Sequence, residues 1–139
     1  MAELIYGDDS YAIIGASMKV FNELGFGYQE KYYYRALKNA FVELGFKVTE
    51  QLWTPLVAGG KSIGGYFLDF LLQKGEIKIV VELKVSDSIY NQHIKQVYGY
   101  LLANKIKLGI IVVISKKGVL SKRVVNELVR FVIIRVLVD

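Results

Sequence analysis

Two apolar runs, Tyr66-Phe67-Leu68-Asp69-Phe70-Leu71 and Val80-Val81-Glu82-Leu83-Lys84-Val85, constrain this chain more than any other stretch. Both have the composition of buried strands, yet each carries ionisable groups in its middle. A charge in such a place costs several kcal/mol unless it has a partner or a task. Side chains alternate across a strand, so Glu82 and Lys84 face one way, and Ile79, Val81, Leu83 and Val85 the other. Between the runs, Gln73-Lys74-Gly75-Glu76 reads as a hairpin turn. With Lys74-Gly75 as a two-residue loop, Gln73 pairs with Glu76 and Asp69 lies opposite Val80. Asp69 then shares the face of Glu82 and Lys84. A one-residue slip would undo that grouping.

Two carboxylates and an ammonium thus occupy one face of the hairpin. Carboxylates a few ångströms apart repel unless one is protonated or a cation lies between them. A hard divalent cation held by carboxylate oxygens resolves the conflict, and Mg2+ fits. Lys84 is then placed to orient or deprotonate a water, or to stabilise negative charge on a phosphate. The bland alternative is a Glu82–Lys84 ion pair on a solvated sheet face.

The length, 139 residues, suits one domain with a proper core, and a hydrophobic fraction of 53% marks a globular chain. The absence of cysteine excludes disulfides, thiolate metal sites and a cysteine nucleophile, and a single histidine excludes a histidine-rich zinc site. A net charge of +5 mildly favours an anionic partner such as nucleic acid. Met1-Ala2-Glu3-Leu4 does not open a secretory signal, and no run is apolar enough to span a bilayer. A cytoplasmic protein with no membrane partner is expected.

In chain order, residues 10–24 read as a helix, with Ile13, Ile14, Met18, Phe21 and Leu24 at helical spacing and Ser10 or Asp9 as cap. Gly25-Phe26-Gly27 breaks it. A second helix spans about 28–44, with Tyr33, Ala36, Leu37, Ala40, Phe41 and Leu44 on its apolar face. Glu30 lies in its first turn, where a carboxylate also suits the helix dipole. Tyr32, Tyr33 and Tyr34 read as core and rim, with base stacking as the alternative. Residues 46–57 form a first strand that Pro55 restricts to an edge or a late position. Ala58-Gly59-Gly60-Lys61-Ser62 is a turn; it lacks the spacing and the following helix of a phosphate loop. The hairpin occupies 64–73 and 76–86, and a helix follows from about 87 to 104 with caps in Ser86-Asp87-Ser88. Residues 109–115 form another strand, Lys116-Lys117-Gly118 a turn, and 119–125 a short final strand. On the third helix His93, Gln96 and Tyr100 share a face that could hold a phosphate or a water, or simply face solvent.

This order resembles the PD-(D/E)XK nuclease superfamily and, more narrowly, the small group called GxxExxY proteins. Gly27-Tyr28-Gln29-Glu30-Lys31-Tyr32-Tyr33 fits the group's signature. Gly65 to Asp69 followed by Val81-Glu82-Leu83-Lys84 fits the nuclease core. Gln96-Val97-Tyr98-Gly99-Tyr100 fits the Gln-x-x-x-Tyr element of RecB-like members. Glu-x-Lys alone is common; four elements in order, over about residues 10–126, make a stronger case. One departure is Leu68, which stands where the superfamily name has proline.

The resemblance implies a single restriction-endonuclease-like α/β domain, residues 1–139, with a central mixed sheet flanked by helices. It implies that Asp69 and Glu82 ligate Mg2+, which Mn2+ can replace, and that Glu30 adds a ligand directly or through a water. Lys84 would orient the attacking water or stabilise the transition state, and Gln96 and Tyr100 would support the site or touch the DNA backbone. The implied reaction is hydrolysis of phosphodiester bonds, in DNA rather than RNA. Lys61, Lys95, Lys116 and Lys117 are candidate phosphate contacts. The rival is a non-catalytic nucleic-acid-binding or protein-interaction module that retains the fold. Residues 127–139 are apolar, have no counterpart in the family pattern, and offer a surface for a homodimer.

Overall fold

In the computed structural model, which describes residues 4–126, the central strand is β3 (Ile77–Val85). Its segment from Ile79 to Leu83 is buried throughout, the setting in which a near-continuous apolar run is stable. Around it the chain runs α1 (Gly7–Leu24), α2 (Glu30–Glu43), β1 (Lys47–Ala58), β2 (Lys61–Lys74), β3, α3 (Asn91–Asn104), β4 (Leu108–Ser115) and β5 (Gly118–Val125). The five strands lie in the order β1-β2-β3-β4-β5. β1, β2 and β3 are antiparallel neighbours, β3 and β4 are parallel, and β5 returns antiparallel. The parallel pair requires a crossover, which α3 supplies. The result is the expected mixed α/β sheet flanked by helices. Pro55 sits on edge strand β1, the kind of strand to which proline is confined in a sheet.

The sheet separates two cores. On one face Ile13 of α1 and Tyr33, Leu37 and Phe41 of α2 pack on Phe70, Leu72, Ile79, Val81 and Leu83. On the other, Val97 and Leu101 of α3 pack on Leu71, Val80, Ile111 and Val113. β1 and β2 change faces together near Gln51, whose φ is 56°. Phe70 packs with α2, whereas Leu68 and its partner Leu52 pack on the α3 side.

Several local expectations shift. The β2–β3 loop is Gly75-Glu76 rather than Lys74-Gly75, since Lys74 pairs with Ile77 and Phe70 with Val81. Glycine is wanted first in such a loop, and Gly75 takes φ 58° there. The register therefore moves by two residues, bringing Asp69 level with Glu82 rather than Val80. A two-residue shift preserves side-chain parity, so the same-face grouping survives. α1 starts at Gly7, not residue 10, with Tyr6 at its N-cap and no side-chain cap. Ser10 instead donates to the Tyr6 carbonyl at 2.8 Å, so it cannot serve as the cap. α3 starts at Asn91, not 87, because Ser86-Asp87-Ser88 forms bends before it. The β1–β2 turn is confined to Gly59-Gly60, and Lys61 and Ser62 already belong to β2. The apolar stretch 127–139, and with it the expected dimer surface, lies outside the described residues.

Candidate functional site

The site begins where β2 and β3 part. Their ladder ends at Phe70↔Val81, and side chains take over from backbone at the next step. Glu82 Oε1 accepts a hydrogen bond from the Asp69 N–H at 3.1 Å, and Asp69 Oδ2 accepts one from the Leu83 N–H at 2.8 Å. Each carboxyl group is held by a backbone amide of the opposite strand. Glu82 is only 2% exposed. Burial, and then the Asp69 carboxylate beside it, push its carboxyl up to about 9, while Lys84 pulls the other way. Lys84 Nζ lies 3.8 Å from Glu82 Oε2 on a half-buried side chain. A Glu82 this buried excludes the solvated surface ion pair.

Two helices flank this pair. Glu30, the first residue of α2, accepts a hydrogen bond from the Val85 N–H at 3.1 Å. It is thus tied to the end of β3, next in sequence to Lys84. On the α3 side, Tyr66 Oη donates to the Gln96 carbonyl at 2.7 Å. Gln96 lines a cleft of about 390 Å³ with Leu56, Tyr66, Asn91, Gln92 and Lys95. Tyr100 packs into the apolar cluster under α3, and burial raises its hydroxyl pKa. Of the predicted cations, Lys95 borders the cleft, Lys61 follows the β1–β2 turn, and Lys116-Lys117 form the β4–β5 turn; all four are exposed. That last turn lies at the carboxyl end of the parallel pair, where the Ser86 N–H bonds the Ile114 carbonyl.

Two further residues belong to this neighbourhood, His93 on the α3 face already singled out with Gln96 and Tyr100, and Tyr34 of α2. His93 has a buried Nδ1 with no hydrogen-bond partner among the described residues. Burial, and then the Lys84 cation, hold its imidazole below the ordinary histidine range. Its place on the face of Gln96 and Tyr100 was the available signal. Tyr34 donates to Glu50 at 2.9 Å and accepts from Gln51 at 3.2 Å. Burial raises its hydroxyl to about 12, with a smaller contribution from Asp69. Nothing in the sequence separates Tyr34 from its two tyrosine neighbours.

The donor set suits a hard divalent cation. Among the described residues no three His, Cys, Asp or Glu side chains are gathered to hold a metal ion. Asp69 and Glu82 form a pair, with Glu30 on the Val85 amide. Mg2+ is commonly held by one or two carboxylates and completes its shell with water and substrate phosphate. A cation at the pair would also offset the burial and the Asp69 charge that raise the Glu82 carboxyl.

A mixed sheet whose central hairpin carries paired carboxylates and a lysine defines a nuclease-type α/β protein. A family profile of the PD-(D/E)XK nuclease superfamily matches residues 7–125, and the chain belongs to that superfamily. It is accordingly a nuclease by family, a hydrolase with nucleic acid as substrate, and the superfamily generally uses divalent metal ions. No curated protein matches the sequence. Among solved structures it is similar to that of SSO0001, with 15% identity and TM-score 0.47 over 86% of this chain and 78% of that one. It is also similar to an alkaline exonuclease from Laribacter hongkongensis, with 14% identity and TM-score 0.48 over 97% of this chain and 77% of the other. No helix among the described residues is long and apolar enough to cross a membrane.

Proposed function

We propose that this chain is a Mg2+-dependent nuclease that hydrolyses phosphodiester bonds in DNA, with Mn2+ able to substitute. The observation that carries the proposal is the Asp69–Glu82 pair, Glu82 buried and Asp69 half-buried, each carboxylate bonded to the other strand, with Lys84 beside it. Asp69 and Glu82 hold the ion, and Glu30 assists from the rim through a water. A bound divalent cation supplies Lewis acidity toward a phosphodiester and offsets its negative charge. The Asp69 and Leu83 amides keep both carboxylates oriented, so little reorganisation accompanies substrate binding. The Lys84 ammonium faces the reacting phosphate and stabilises the charge that develops on its oxygens. Gln96 positions the substrate from α3. Lys61, Lys95, Lys116 and Lys117 contact phosphates, so binding weakens steeply with salt. The preference for DNA follows the RecB-like order of motifs. One sheet with helices on both faces supports a single nuclease domain.

The test is a cleavage assay on linear, circular and branched DNA with Mg2+, Mn2+ or EDTA, with Glu82→Ala as control. Cleavage that needs the cation and disappears in Glu82→Ala is expected. Salt-sensitive DNA binding without turnover, and without any stabilisation by the cation, would instead favour the non-catalytic binding module.

A further inference from the structure

Beyond Asp69, β1 and β2 leave the rest of the sheet. β3 pairs with β2 only from Phe70 to Lys74, whereas β1 pairs with β2 from Lys47 to Ala58. Residues 52–68 therefore form a two-stranded arm that ends at Gly59-Gly60. Its inner side is well accounted for: Leu52 and Leu68 pack in the α3-side core, and Tyr66 bonds α3 through Gln96. Its outer side is not. Trp53 and Phe67 are cross-strand partners there, 53% and 56% exposed, with ring centroids 4.9 Å apart. Gly65 and Pro55 are the next pair on that side. A Cβ at Gly65 would come within 2.6 Å of the Trp53 ring, so the indole lies directly against the bare backbone of β2. This contact covers part of the indole, and the rest of it stays open beside the Phe67 ring.

We propose that this arm is a stacking platform for unpaired nucleobases, which Trp53 and Phe67 bind while the strand's phosphodiester reaches the Asp69–Glu82 pair. The proposal rests on the nuclease reading of that pair and names the form of its substrate. Phe67 is two residues from Asp69 along β2, so the platform begins where β2 parts from β3 beside the site, on the α2 side from which Glu30 also approaches. Its surroundings are cationic. Alternation puts Trp53 on the α2 side of the arm, where Lys31, Arg35, Lys38, Glu50 and Gln51 line a cleft of about 510 Å³. Lys38 is paired with Glu50 at 2.8 Å, and Lys31 and Arg35 are exposed. Lys61 adds a further cation beyond the tip. Aromatic rings interleaved with cations suit a strand whose bases stack and whose phosphates are neutralised. Inside a duplex the base faces already cover one another, so a flat apolar surface meets them only on unpaired bases. Reading a duplex groove would need hydrogen-bonding groups, and Pro55, Gly65 and Phe67 offer none from their side chains.

Trp53 is the only tryptophan in the chain, so its emission reports on the platform alone. The experiment titrates the full chain in EDTA with a fluorescein-labelled oligothymidylate strand and with a blunt duplex, following anisotropy and Trp53 emission together. Quenching by the single strand is expected. Trp53→Ala and Phe67→Ala should each weaken single-strand binding about tenfold, with the duplex less affected and Trp53→Phe close to the parent. Single-strand binding with unchanged emission, and equal affinity for Trp53→Ala and Trp53→Phe, would overturn the platform. So would a concentration-dependent blue shift without nucleic acid, together with a dimer lost in Trp53→Ser, because a second copy would then cover the arm. A parallel Mg2+ and Mn2+ cleavage assay separates the two readings. Quenching without cleavage keeps the platform and removes the catalysis, whereas cleavage without quenching does the reverse.

Discussion

On one side of β3, Ile79, Val81 and Leu83 meet α1 and α2 across a dry interface built with Phe70, Phe41 and Tyr33. On the other, Val80 gives way to Glu82 and Lys84 beneath α3, and the strand to which they should pair has already moved off. The two faces share one backbone, and Glu82 is nearly as buried as the apolar residues opposite, yet only the second face holds carboxyl groups in contact. Apolar groups packed at interior density gain from closeness, whereas like charges lose by it. The first face anchors the strand firmly enough for the second to keep two carboxylates together although like charges repel. Stability thus lies on one side of the strand and the proposed chemistry on the other.

The sharpest way to break this division is to truncate one residue on each side. Asp69→Ala and Glu82→Ala should abolish cleavage while leaving a folded protein by circular dichroism. Leu83→Ala should instead cost about 2–5 kcal/mol in denaturant unfolding, as large-to-small core substitutions do, with activity retained by the folded fraction. Loss of activity in a stably folded Leu83→Ala, or unfolding in both carboxylate variants, would erase the distinction. Next in size is Lys84→Ala. It should lower the cleavage rate about 10²–10³-fold, by analogy with loss of one transition-state donor, while Mn2+ binding by calorimetry stays near the parent's.

A smaller effect sharpens the comparison through pH. The Glu82 carboxyl is raised in the fold from its ordinary value of 4.5 to about 9, mainly by burial and then by Asp69. A raised folded pKa means that the fold binds the proton more tightly than the unfolded chain. That contribution is complete below the unfolded value and is lost as pH rises through the folded one. The Tm in EDTA should therefore fall between about pH 4.5 and 9. Mg2+ should restore it at the alkaline end, and Glu82→Gln should flatten the slope. A Tm that climbs over the same range would make the pair a structural ion network with Lys84. The smallest effect belongs to Gln96→Ala, since a neutral side chain positions rather than ligates. A several-fold rise in KM with kcat nearly unchanged is expected from steady-state kinetics.

The sequence by itself determined that Asp69, Glu82 and Lys84 share a face. Strand periodicity is two, so the grouping survived a hairpin register displaced by two residues, although the loop is Gly75-Glu76 rather than Lys74-Gly75. It likewise determined the alternation of strands and helices, because apolar spacing and glycine breaks are local signals. Helix starts were less legible: Ser10 and Ser86-Asp87-Ser88 look like caps but bond elsewhere, since a cap depends on where the preceding chain enters. Only the tertiary structure decided that β2 leaves β3 at Asp69 and that each carboxylate bonds the other strand. The same departure decides which apolar side chains are core and which are surface. Leu68 and Phe67 are both apolar residues of one strand, yet the first is buried under α3 and the second lies open on the arm. Hydrophobicity specifies that a side chain gains from burial, whereas only the packing of distant elements determines whether anything covers it.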